Sequence, residues 1–368
     1  MWGGGVLAPH PPSACVPEGA GGETGGISRG RRRHLKDGGA ANVHVSDRGG
    51  GKVRGGERET GPGGNGGVED LVVLVTGGSG FIGSHIVDRL VQSGHSVRVF
   101  DKAKPLREDV EWHKGDVLNE RDLLDAMTDS EYVMHLAAVA DVNIALQQPE
   151  LCLQVNELGT LNLLKAASSK EVDRVILASS TWVYGRAEGE VTEETPLPPP
   201  DNVYTKTKIG QEHLVQSWNK VNGLPFTILR YDIPYGPRMR GNMAIAAFTR
   251  KALRGEAITL FGDGSQGRCF IHVEDLAEGN LAALKAEAKN HVFNLAGERF
   301  VTILDIVTNL NRLLGKVNVE HAPPRPGDFK GAKISIGKAR QLLGWAPKVQ
   351  FEEGLERYVR WVRKLQAP

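Results

Sequence analysis

Hydrophobic positions follow no sustained period up to residue 67 and a strong one beyond it. Residues 71–75 (LVVLV) form an unbroken β-branched and leucine run, as expected of a strand buried on both faces. Glycines then crowd at Gly77, Gly78, Gly80 and Gly83, and from Ile82 the apolar residues Ile82, Ile86, Leu90 and Val91 fall at helical spacing. The pattern repeats as strand and helix. Strands are predicted at 96–100, 110–113, 132–137, 174–179 and 226–229, with helices at 119–127, 150–169 and 203–221. In the 150–169 helix, Leu151, Val155, Leu158, Leu161 and Leu164 are expected to face inward. Such βαβα order predicts an α/β fold, a doubly wound parallel sheet of Rossmann type with helices on both faces and ligands beyond the carboxyl ends of its strands.

After Tyr231 the texture changes. Pro234, Gly236, Pro237 and Gly241 make a loop, and short strands (258–261, 292–295) mix with helices (243–254, 275–286, 302–314, 351–365) around a proline-broken stretch at 321–328. The expected organisation is a Gly-rich disordered tail over 1–67, a dinucleotide-binding domain over 68–231, and a smaller cap over 232–368 interleaved with it. The tail cannot bury enough apolar surface to offset the entropy of ordering it. Its nine basic residues exceed its six acidic ones. The Arg31–Arg33 cluster is read as solvated charge, against an address or a nucleic-acid contact. A natural start near Val68 is a further possibility for this tail.

Strand, glycine turn and helix together make a phosphate site. Glycine lets the backbone turn tightly and approach a pyrophosphate, and a helix N-terminus turns unpaired N–H groups toward its charge. The second strand ends at Asp101, whose carboxylate can accept from both ribose hydroxyls and repels a 2′-phosphate, so NAD is expected over NADP.

Tyr204 and Lys208 lie four residues apart and share a helix face just after the fifth strand. A phenol near pKa 10 is a poor base at neutral pH, and an adjacent ammonium favours its phenolate. That makes Tyr204 a candidate acid/base for a substrate hydroxyl. Ser179, Ser180 and Thr181 close the fifth strand, where a hydroxyl can bond the same substrate oxygen or satisfy local backbone groups.

The totals change this picture little. A net charge of +1 over 368 residues gives no field that draws the chain to nucleic acid or membrane. Cys15, Cys152 and Cys269 are scattered, which is neither a disulfide framework nor a zinc spacing, and suits a reducing, cytoplasmic setting. No apolar run is long enough to span a bilayer, and the first residues lack the order of a signal peptide.

From residue 71 onward the chain resembles the extended short-chain dehydrogenase/reductases, in their NAD-dependent sugar-nucleotide epimerase/dehydratase group. The resemblance rests on TGGSGFIGSH (76–85), Asp101, GDV (115–117), HLAA (135–138), Asn156, SSTWVYG (179–185), YTKTK (204–208), LRY and YGPR (229–238), GDGSQGRCFIHVED (262–275) and RPGD (325–328). It implies catalytic Tyr204 and Lys208, with Ser180 as their partner. NAD contacts are implied at Gly77, Gly80, Phe81, Ile82, Gly83, Asp101, Lys102, Asp116, Val117, Leu136, Ala137, Ala138, Asn156, Tyr204 and Tyr231, with Lys208 also on the nicotinamide ribose. Nucleotide-sugar contacts are implied at Ser180, Thr181, Trp182, Arg268 and Arg325. Thr181 and Trp182 stand where the related dehydratases carry an Asp-Glu pair, and Trp182 replaces the glutamate of the related decarboxylases. What remains is epimerisation of the UDP-glucose 4-epimerase type through a transient ketone. Net dehydrogenation of a sugar nucleotide or another secondary alcohol stays open, as does a non-catalytic NAD-sensing protein. Ile233 and Cys269 depart from the group's usual Asn and Asp. A homodimer joined by helices 150–169 and 203–221 is also implied.

Overall fold

Seven parallel strands form the central sheet: β1 (Val72–Thr76), β2 (Ser96–Asp101), β3 (Glu111–Lys114), β4 (Tyr132–His135), β5 (Arg174–Ser180), β6 (Phe226–Tyr231) and β7 (His291–Leu295). Across the sheet they run β7-β6-β5-β4-β1-β2-β3. The structure is a computed structural model that describes residues 71–324 and 330–366. The segment read as a tail, with Cys15, and the substrate-site candidate Arg325 lie outside the described residues.

The sheet alternates its apolar residues between two cores. Val73, Val75, Val99, Met134 and Ile176 pack on one face, and Leu74, Phe100, Val133, Val175, Leu177 and Ile228 on the other. Period-two alternation with both faces buried is why these strands read as continuous apolar runs. Helix α1 (Phe81–Gln92) covers the first face with the later helix Val273–Ala282. Helix α2 (Glu120–Ala126) helps cover the other.

The predicted single helix over 150–169 is three pieces. Helix α3 (Val142–Gln147) ends at Gln148, α4 (Pro149–Leu153) starts on a proline, a π turn (Gln154–Leu158) follows, and α5 (Gly159–Ser169) continues from it. The buried stripe runs through Cys152, Asn156, Thr160, Leu163 and Leu164, and is already set at Cys152, ahead of the π turn. Leu151 and Leu158, expected to be buried, are 36% and 47% exposed, and Val155 and Leu161 are half-buried.

Helix α6 (Val203–Asn222) starts on Asn202, whose side chain accepts from the Thr205 N–H, and stops at Gly223 with φ +74. Beyond β6 the chain builds a further apolar cluster around Tyr235, Ile245, Leu260, Ile306, Leu310, Phe351 and Leu355. Helices α7 (Ala244–Leu253), α9 (Ile303–Leu314) and α10 (Phe351–Gln366) build this cluster, while α8 (Val273–Ala282) packs with α1 on the main sheet. Helix α8 is shorter than the predicted 275–286 and ends before Ala283. The predicted strand at 292–295 is β7, which returns to the main sheet and pairs with β6.

Candidate active site

A cavity of about 760 Å³ opens at the carboxyl ends of β1, β2, β4, β5 and β6. It lies where the strand order reverses between β1 and β4, the position physics assigns to ligands in such sheets.

One end is made of backbone. Gly77 has φ +72, and a Cβ there would come within 2.8 Å of the Ala137 nitrogen. A Cβ on Gly83 would meet the Gly77 carbonyl oxygen at 2.2 Å. Only glycine permits so close an approach of α1 to the turn. Helix α1 starts at Gly80 with no side chain capping it and no acidic residue in its first turn, so its N–H groups remain available for an anion. Gly77, Gly80, Phe81, Ile82 and Gly83 all line the cavity here. Asp101, at the tip of β2, accepts from the Ser79 and Ala103 N–H groups at 3.0 Å each, which ties the glycine turn to β2. Lys102 pairs with Asp116 at 2.7 Å across the same rim, holding that carboxyl below its ordinary range against the opposing effect of partial burial. Val117, Leu136, Ala137, Ala138 and Tyr231 complete the wall. A close-packed glycine cradle, an uncapped helix N-terminus and a strand-end carboxylate fit an adenine dinucleotide.

The other end is made of side chains. Tyr204 and Lys208 project from α6 beside Ser180 at the end of β5, and all three line the cavity. Burial pushes the Tyr204 phenol up to about 12, opposed by a hydrogen bond with Ser180. Burial likewise brings the Lys208 ammonium down to about 8, opposed by the Glu212 carboxylate. Lys208 Nζ donates to the Ala178 carbonyl at 2.8 Å and lies 6.0 Å from the Tyr204 ring centre. Within the polypeptide, desolvation dominates this phenol, and the cation that opposes it is Arg240 in place of the expected Lys208. Glu212 is itself gripped by Arg230 at 2.7 Å and accepts from Ser179, which locks α6 to the ends of β5 and β6. Trp182 lies edge-on to Tyr204, ring centres 6.4 Å apart.

Three predicted contacts fall elsewhere. Asn156 does not line the cavity. Its amide is fully buried and bonds Val139 N–H and C=O and the Thr207 hydroxyl, fixing the wall from behind. Thr181 and Arg268 line a smaller neighbouring cavity of about 70 Å³. Asp232, Arg240, Asp141 and Asn242 line the main cavity and were not singled out in the sequence. For Asp232 a signal existed, because a carboxylate one residue past a parallel strand points to the ligand end of the sheet. The others lie on loops with no periodic signature.

Comparison with known proteins supports the geometry. Residues 73–296 match the family model described as the NAD dependent epimerase/dehydratase family. A UDP-glucuronate 4-epimerase of Thermodesulfobacterium geofontis is 31% identical over 309 residues, covering 79% of this chain and 96% of that protein. The crystal structure of UDP-glucose 4-epimerase with UDP-glucose from Thermotoga maritima matches with a TM-score of 0.76 and 33% identity, over 81% of this chain and 100% of that one. The UDP-glucuronic acid 4-epimerase of Bacillus cereus, in complex with UDP-glucuronic acid and NAD, matches with a TM-score of 0.75 and 32% identity, over 80% and 100%. With the glycine cradle, the strand-end Asp101 and the Tyr204–Lys208 pair at one cavity, these likenesses establish that the chain belongs to the NAD dependent epimerase/dehydratase family and is an NAD-dependent enzyme.

Proposed function

We propose that this NAD-dependent sugar-nucleotide epimerase inverts the C4 hydroxyl of a UDP-hexose through a transient 4-ketone, with Tyr204 as acid/base. The observation that carries the proposal is the convergence of Tyr204, Ser180 and Lys208 on one cavity with the glycine cradle. Gly77, Gly80, Phe81, Ile82 and Gly83 would hold the cofactor's diphosphate. Asp101 and Lys102 would hold the adenosine ribose, Asp116 and Val117 the adenine, and Lys208 the nicotinamide ribose. Bound there, NAD would supply reversible hydride acceptance at the carbinol carbon.

The chain's own residues manage the proton. Tyr204 takes it from the sugar hydroxyl while Ser180 orients the reacting oxygen. Proton removal requires a more acidic phenol than burial allows, and the positive charge of an oxidised nicotinamide ring, held by Lys208, would supply that bias. Returning the proton to the ketone oxygen completes the inversion and leaves no net redox change. Thr181 and Trp182 carry no carboxyl for an elimination or decarboxylation.

Purified full-length protein given UDP-glucose should form the C4 epimer, resolved by chromatography, with no build-up of reduced cofactor. Steady accumulation of reduced cofactor with substrate would instead mark a net dehydrogenase.

The same proposal includes a homodimer. Ile144, Leu146, Leu151, Leu153 and Leu158 leave an apolar surface along α3, α4 and the π turn. Leu158→Glu should then halve the particle mass in sedimentation.

A further inference from the structure

We propose that Asp232 is a specificity-determining residue that admits a neutral hexose and turns away a hexuronate. The inference rests on the nucleotide-sugar reading above and concerns the same site.

Ser180 on β5 is in register with Tyr231 on β6, so Thr181 and Asp232 stand side by side just beyond the two strand ends. Asp232 and Trp182 line both the main cavity and the smaller one that holds Arg268. A ligand whose carbinol meets Tyr204 and Ser180, and whose anionic portion reaches toward Arg268, must pass Asp232.

Its carboxyl is built in. It is 3% exposed, Oδ1 accepts from the Thr181 hydroxyl at 2.9 Å, and Oδ2 accepts from the Cys269 N–H at 2.9 Å. The Thr181 proton is therefore committed to Asp232, and what the pair offers a ligand is lone pairs. A sugar hydroxyl can donate to them. A sugar carboxylate meets acceptors and a like charge instead. Burial raises the Asp232 carboxyl to about 6 against the opposing effects of Thr181, Arg268 and the Cys269 and Ile233 N–H groups, so it is ionised at pH 7.5. Other cavity carboxylates are engaged elsewhere: Asp101 by the Ser79 and Ala103 N–H groups, Asp116 by Lys102, Asp141 by Asn242 and the Asn143 N–H, and Asp201 by Arg186. Arg268 lies close enough to act on this carboxyl, lowering it against burial.

The test is calorimetric titration of the NAD-loaded full chain at pH 7.5 with UDP, UDP-glucose and UDP-glucuronate, for the natural protein and for Asp232→Asn. The natural protein should favour UDP-glucose over UDP-glucuronate by roughly tenfold or more, as expected for a like charge set against a hydrogen-bonding hydroxyl. In Asp232→Asn that ratio should collapse by about tenfold, with UDP-glucuronate gaining and UDP-glucose losing affinity. Undiminished UDP affinity certifies the fold, and Asp232→Ser gives the same comparison if the amide is not accommodated. Equal or tighter binding of UDP-glucuronate by the natural protein overturns the proposal, as does a ratio unchanged by both variants that still bind UDP. If UDP-glucose is bound and epimerised but the ratio ignores Asp232, only this inference falls. If neither UDP nor either sugar nucleotide binds, the functional reading falls with it.

Discussion

The two ends of the main cavity are built from different material. The cradle end is almost entirely backbone and comes from one run of chain, with Gly77, Gly80 and Gly83 between β1 and α1. The opposite end is assembled from side chains that the fold collects: Ser180 from β5, Tyr204 and Lys208 from α6, and Asp232 from the end of β6. Backbone geometry tolerates few replacements but carries little choice of ligand. Collected side chains carry the choice, since one substitution changes charge or hydrogen bonding without disturbing the turn.

Substitutions should separate the two ends. The largest effect is expected at the side-chain end. Tyr204→Phe should lower turnover by roughly 10²–10⁴-fold, the usual worth of a general acid/base, while NAD affinity measured by fluorescence titration holds. Near-normal turnover would remove Tyr204 from that role. At the backbone end, Gly83→Ala places a methyl against the Gly77 carbonyl. It should cost about 1–3 kcal/mol, or roughly 10- to 100-fold in NAD affinity, with no selective effect on sugar nucleotides. Asp101→Asn should reduce the preference for NAD over NADP by roughly tenfold, about one charge-assisted hydrogen bond, in paired titrations.

The smallest effect reads the scaffold joining the two ends. His135 is buried between the Thr76 and Thr160 hydroxyls, and burial lowers its pKa to about 3, with Lys208 adding to the shift; burial also brings His272 to about 3. Both stay neutral in the fold and take up protons near pH 6.5 when unfolded. The unfolded chain therefore binds more protons between these values, and stability present above pH 6.5 is lost as pH falls toward 3. The melting temperature should drop between pH 7 and 5, and drop less in His135→Asn.

This contrast also explains what the sequence shows. Glycine turn, strand and helix are consecutive, so their chemistry is visible as a local pattern. Tyr204 and Lys208 are legible for the same reason, four residues apart on one helix. Asp232 meets Thr181 at a sequence separation of 51, a contact created only by the β5–β6 register. Asn156 carries a motif-like identity, yet its amide is spent on Val139 and Thr207 behind the cavity wall. Leu151 and Leu158 keep a helical spacing, but on the outer face, because the inner one is taken by Cys152, Asn156 and Thr160, which a hydrophobic pattern passes over.

That widened turn carries a consequence for how this chain can change. A π turn spends one residue more than an α turn on nearly the same rotation, so deleting one residue from 154–158 would leave α5 in phase and disturb only the turn itself. Asn156 sits inside that turn, and its grip on Val139 is the contact such a deletion puts at stake. Loss of a single residue here would thus strike the support of the chamber wall while sparing the packing of the helix beyond it.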